Sequence, residues 1–146
     1  MAQVEKHSYS PMTIVAPTIF QGDAMQVLAG FPSECFQCVI TSPPYWSLRD
    51  YSVPGQIGLE STLDEYIDHL VTVFSEVRRV LRDDGVLWLN IGDSYTSGGR
   101  TWRAPDKKNH ARAMRVRPDT PSGLKPKDLI GVPWRLAFAL QQDGWF

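Results

Sequence analysis

TLDEYIDHLVTVFSEVRRVLRDDGVLWLNI, residues Thr62 to Ile91, sets a capped helix directly before a strand. Thr62-Leu-Asp-Glu65 has the form of a capping box, in which the Thr62 hydroxyl accepts from a first-turn N–H and Glu65 reaches back to the Thr62 N–H. Leu63, Ile67, Leu70, Phe74, Val77 and Leu81 then recur at helical spacing and fall on one face. The pattern breaks near Asp83-Asp84-Gly85, and Val86 to Ile91 reads as a strand. Upstream, Cys38 to Thr41 is a second short run, apolar on both faces, as strands of a buried parallel sheet are. Strand, helix and strand at this spacing make a βαβ crossover, so the expected fold class is α/β with a parallel sheet. Outside this unit, Thr18 to Phe20 reads as a further short strand, turning at Gly22-Asp23 into the apolar stretch Ala24 to Leu28. Asp128 to Gln142 reads as helical, with Pro133 beginning a turn or kinking it, and Asp143 to Phe146 as the start of another strand.

The chain has 146 residues, 42% of them hydrophobic, which suits one domain with a modest core. No stretch approaches the roughly 18 apolar residues that span a bilayer, and MAQVEKHSYS lacks the apolar core of a secretion signal, so no membrane partner and a cytoplasmic location are expected. Cys35 and Cys38 form a lone C-x-x-C; with His7, His69 and His110 scattered singly no metal is expected, and the thiols read as half-buried residues of a reducing compartment. A net charge of −1 means that any polyanion must be met by local clustering.

Such a cluster exists. The Gly-, Pro- and Ser-rich segment from Gly92 to Pro126 has no periodicity and reads as a long loop, basic over about residues 97–126. Between Arg100 and Arg117, Arg100, Arg103, Lys107, Lys108, Arg112, Arg115 and Arg117 stand against one acid, Asp106, with Trp102 among them. A solvated charged loop has the same charge pattern; the interleaved aromatic favours contact with nucleic-acid phosphates.

At the carboxyl end of the Cys38–Thr41 strand, where open parallel sheets bind ligands, the chain turns on Ser42-Pro43-Pro44 into Tyr45 and Trp46. The prolines fix φ and remove N–H donors, which leaves the Ser42 and Pro43 carbonyls as stiff acceptors beside a hydroxyl and two aromatic rings. Acceptors next to a flat ring suit a planar group carrying an exocyclic amine, such as a nucleobase.

Ile40-Thr41-Ser42-Pro43-Pro44-Tyr45 resembles the catalytic motif of the DNA amino methyltransferases. Gly22-Asp23, Val80 to Leu87 and Asp128 to Phe138 agree in order with the group in which this motif precedes the cofactor motif, so the resemblance covers nearly the whole chain. It implies a Rossmann-like methyltransferase fold, S-adenosylmethionine as cofactor, double-stranded DNA as partner, and a restriction-modification or phage setting. It further implies a catalytic turn of Ser42, Pro43, Pro44 and Tyr45, with Asp23 and Thr41 toward the cofactor and Tyr45 stacked on a flipped base. Trp46 either contacts DNA or packs against the sheet. Thr-Ser-Pro-Pro-Tyr resembles the cytosine-N4 variant more than the adenine-N6 one, although serine and aspartate both supply an acceptor.

One departure is plain. The family's cofactor site uses a glycine-rich turn after a strand, and no G-x-G occurs among the eleven glycines. Residues 1–146 are therefore expected to be a partial methyltransferase domain, the N-terminal catalytic half, needing a C-terminal half or a complementing chain. The competing expectation is a nucleic-acid-binding module without catalysis.

Overall fold

The computed structural model describes residues 16–97 and 118–146. Helix α1 (Ala24–Ala29) starts on the Asp23 carboxylate, which accepts the Gln26 N–H at 3.1 Å. Strand β1 (Phe36–Thr41) follows, then helix α2 (Leu63–Val80), strand β2 (Leu81–Leu89) and helix α3 (Val132–Gln142).

Both halves of the capping box form. Thr62 Oγ1 accepts from Glu65 N and Glu65 Oε2 accepts from Thr62 N, each at 3.2 Å. Leu63, Tyr66, Ile67, Leu70, Phe74, Val77 and Val80 are buried along one stripe of α2, the stripe that the spacing of apolar residues marks out. Leu70 and Phe74 are 1% exposed, and burying side chains of this size contributes about 1.5–3 kcal/mol each. Arg79 ties α1 to α2 by donating to the Leu28 and Phe31 carbonyls, both at 2.9 Å.

β1 and β2 pair in parallel, with Cys38 opposite Val86, Val39 opposite Leu87, Ile40 opposite Trp88 and Thr41 opposite Leu89. The helix between them is the crossover, so the βαβ unit is as expected. The described residues hold this two-stranded sheet with its helices, a part of the full architecture that the family resemblance implies.

Several boundaries differ from the sequence reading. α2 passes into β2 at Leu81 with no loop, and Arg82 to Gly85 belong to the strand, beside an irregularity between Phe36 and Cys38. Thr18 to Phe20 is not a strand: Ile19 is 95% exposed, and the Phe20 ring packs edge-on against Phe31 at 5.2 Å. Asp143 to Phe146 is likewise not a strand but the close of α3, with the Trp145 N–H on the Leu140 carbonyl. Helix α3 begins at Val132 and takes Pro133 in its first turn, where no N–H is needed.

Among the described residues the sheet is covered on one face only. Val39 and Leu87 pack against the buried core, whereas Ile40 and Trp88, opposite each other on the other face, are 80% and 66% exposed. Cys38 shares the face of Ile40 and is exposed for that reason, and Cys35, just before β1, is exposed as well, so neither thiol is half-buried. Among the described residues no helix is long and apolar enough to cross a membrane, and no group of three His, Cys, Asp or Glu side chains could hold a metal ion.

Candidate active site

The Asn90 N–H on the Thr41 carbonyl, at 2.9 Å, is the last rung beyond β1, and the chain then leaves the sheet on Ser42-Pro43-Pro44. Two prolines in succession end the ladder because neither can donate. Among the described residues no hydrogen bond reaches the Ser42 or Pro43 carbonyl. The Pro44 carbonyl does have a partner, the Tyr66 hydroxyl of α2 at 2.9 Å. Burial, and secondarily the Glu60 carboxylate, push the Tyr66 phenol well above its ordinary value, so it stays a donor.

Ser42 is exposed, and its hydroxyl lies 3.4 Å from the Tyr45 hydroxyl, a long contact. Tyr45 is set by the loop after β2: a Cβ at Gly92 would stand 2.8 Å from Tyr45 Cε2, so only glycine lets that loop come so near the ring. Two hollows border Tyr45. One of about 400 Å³ is lined by Ser42, Pro43, Pro44, Leu48 and Arg49 among others. The other, of about 100 Å³, is walled by Gly92, Asp93, Ser94 and Tyr95 of the same loop.

Trp46 packs in the core. It is 6% exposed, its ring is stacked on Tyr66 at 6.4 Å, and its indole N–H donates to the Glu60 carbonyl at 3.0 Å. Of the two roles open to Trp46, packing is the one displayed. The Glu60 carboxylate accepts the Gly58 N–H at 2.8 Å and meets His69 Nδ1 at 2.8 Å, which fixes the loop behind the turn.

Thr41 to Tyr45 thus form one continuous edge of the site. Asp23 is engaged as the N-cap of α1. Arg100, Arg103, Lys107, Lys108, Arg112, Arg115 and Arg117 lie outside the described residues.

Three contributors escape a reading of the sequence. Tyr66 sits on the core stripe of α2 and reads as packing. Gly92 and Asp93 stand directly after an apolar strand, a placement that could have flagged them. Asp93 accepts from Ser94 N at 2.8 Å, Gly131 N at 3.0 Å and Val132 N at 3.0 Å, and so caps α3 from the loop that touches Tyr45.

Residues 36–146 match the N6/N4 methyltransferase family model, described as DNA methylase. The chain is similar to the Type II methyltransferase M.Cfr9I of Citrobacter freundii, 64% identical over 144 residues, covering 98% of this chain and 48% of the relative. It is 67% identical over 128 residues to the Type II methyltransferase M.SmaI of Serratia marcescens, covering 88% of this chain and 44% of that protein. The chain therefore spans about half the length of the curated relatives it matches. No solved structure matches it.

Proposed function

The chain belongs to the DNA methylase family, and on that premise we propose that it carries the base-facing half of a DNA methyltransferase acting on the exocyclic amine of a flipped base, cytosine N4 by preference. The observation that carries this is the Ser42-Pro43-Pro44-Tyr45 turn at the carboxyl end of a parallel strand, inside the matched segment, with the Ser42 and Pro43 carbonyls unbonded among the described residues.

An aromatic amine is a poor nucleophile because its lone pair is delocalised into the ring. Ser42 Oγ and the Pro43 carbonyl accept the amine hydrogens, favour a pyramidal nitrogen and stabilise the positive charge that grows there as it attacks. The Pro43 carbonyl is held before the base arrives, by the proline rings on either side of it. Tyr45 stacks on the extruded base, a contact typically worth 1–3 kcal/mol. The basic residues between Arg100 and Arg117 contact phosphates of the duplex.

The family's methyl donor is S-adenosylmethionine, which supplies an electrophilic methyl group. This chain does not fit the donor by itself, since neither strand leads into a glycine-rich turn where a backbone could approach it. On this reading a further half, fused or separate, supplies that site within a restriction-modification enzyme.

The test joins this chain to the part of the Citrobacter freundii relative that it does not match and follows labelled methyl into DNA, with nucleoside digestion to locate it. Label on cytosine N4 is expected, and Ser42→Ala should lower kcat about 10- to 1,000-fold while DNA affinity holds. Label on adenine N6 would correct the base and keep the turn. No transfer to any duplex would leave the nucleic-acid-binding reading in its place.

A further inference from the structure

The proline-rich turn has few donors of its own, and its rigidity must come from elsewhere. Pro43 and Pro44 contribute no N–H, so between Thr41 and Tyr45 only Ser42 carries one. Four contacts from residues 58–66 hold the turn from behind. The Tyr66 hydroxyl donates to the Pro44 carbonyl at 2.9 Å, the Ser47 N–H donates to the Gly58 carbonyl at 2.8 Å, and the Trp46 indole donates to the Glu60 carbonyl at 3.0 Å. The Tyr66 ring also stacks on Trp46, with planes 21° apart.

Tyr66 is the member of this set that reaches the turn from a rigid helix, and it is 0% exposed. Its bond engages the Pro44 carbonyl and fixes the peptide plane next to the one that presents the Pro43 carbonyl. The three carbonyls are thereby made unequal: one is turned inward to α2, and its two neighbours are left for a ligand.

We infer that Tyr66 is a positioning residue for methyl transfer, whose hydroxyl sets the aim of the Pro43 carbonyl at the base amine by holding the Pro44 carbonyl against α2. The inference rests on the functional reading above and adds to it a residue that touches neither base nor donor. Because the acceptors matter most when charge develops on nitrogen, a loosened turn costs rate and leaves substrate binding nearly intact.

The experiment uses the chain joined to the part of the relative that it does not match, with Tyr66→Phe as the variant, since it removes the hydroxyl and keeps the ring. Phe74→Leu, at an equally buried position two turns further along α2, serves as a variant that loosens the same helix without touching the turn. Single-turnover transfer and KM for DNA are measured at a temperature where all three proteins are folded by circular dichroism. Displacement of a reacting group by about 1 Å can cost 10²-fold, so Tyr66→Phe is expected to lower kcat about 10- to 100-fold with KM within twofold, and Phe74→Leu to keep the parent rate. Parent-like kcat in Tyr66→Phe, or an equal loss of rate in Phe74→Leu, would overturn the inference while the parent's activity stands. A parent that transfers no methyl would overturn the functional reading and this inference with it.

Discussion

Asp93 should account for much of the attachment of α3, and the cost of losing it can be worked from its contacts. The N-cap position of α3 is Gly131, at φ 79° and with no side chain to cap the helix. Asp93 supplies the cap from 38 residues away, accepting Gly131 N at 3.0 Å and Val132 N at 3.0 Å on one oxygen, and Gly131 N at 3.1 Å on the other. Asp93→Ala removes the cap, which costs about 1 kcal/mol in typical helices. It also strands the Val132 N–H in a residue 2% exposed, and an unmet buried donor costs about 1–3 kcal/mol. Water reaching Gly131 offsets part of this, so a total of about 2–3 kcal/mol is expected, or a fall in Tm of about 5–10 °C for a chain of this size. Asp93→Asn keeps an oxygen in place and loses the charge at the helix N-terminus, worth about 0.3–1 kcal/mol. Urea unfolding followed by tryptophan fluorescence measures both, with the m-value checked for constancy. An alanine variant within 0.5 kcal/mol of the parent, or an asparagine variant as weak as alanine, would refute the assignment of the cap to this carboxylate.

Two further outcomes are expected. Neutralising Arg112, Arg115 and Arg117 together should weaken binding equally on all duplex sequences and flatten the salt dependence by roughly one unit of slope per lost phosphate contact; an unchanged slope would return the segment to a solvated loop. Hydrogen bonds from the Ser61 hydroxyl and the Thr62 N–H hold Glu65 below the ordinary carboxylate range, so its contribution to stability is present at neutral pH and lost as pH falls through its folded value. The gap in urea midpoint between the parent and Glu65→Gln should therefore be largest near neutrality and close in acid, and a gap independent of pH would contradict this.

How much of the molecule could be read in its sequence follows from the range of the interactions involved. The capping box and the α2 stripe depend on neighbours three and four residues apart, and both formed as read. The end of α2 falls short of the sequence pattern because Leu81 satisfies the helical spacing and is also the first residue of β2, so the two periods overlap on one buried side chain. Thr18 to Phe20 has strand-like composition, but a strand exists only where another offers a ladder, and composition does not report that. At the site, the prolines announce the turn from local chemistry alone. Tyr66 and Asp93 do not announce themselves, because their partners stand 22 and 38 residues away in sequence.

That division has a physical cause. Serine and two prolines can end a strand and bare its acceptors without help, since the effect lies within each residue's own backbone. They cannot also hold those acceptors still, because the donors that would do so are the ones proline removes. The steadiness of the turn must then come from side chains on elements already fixed by the core, and Tyr66 on the most buried stripe of the molecule meets that requirement. Gly92 and Asp93 do the corresponding work from the other strand: the glycine admits the Tyr45 ring, and the carboxylate anchors the same loop to α3. The two strand ends are thus braced by different helices, Pro44 by α2 and the Gly92 loop by α3. A displacement of α3 should consequently disturb Tyr45 before it disturbs Pro44, and the Asp93 variants separate the two effects.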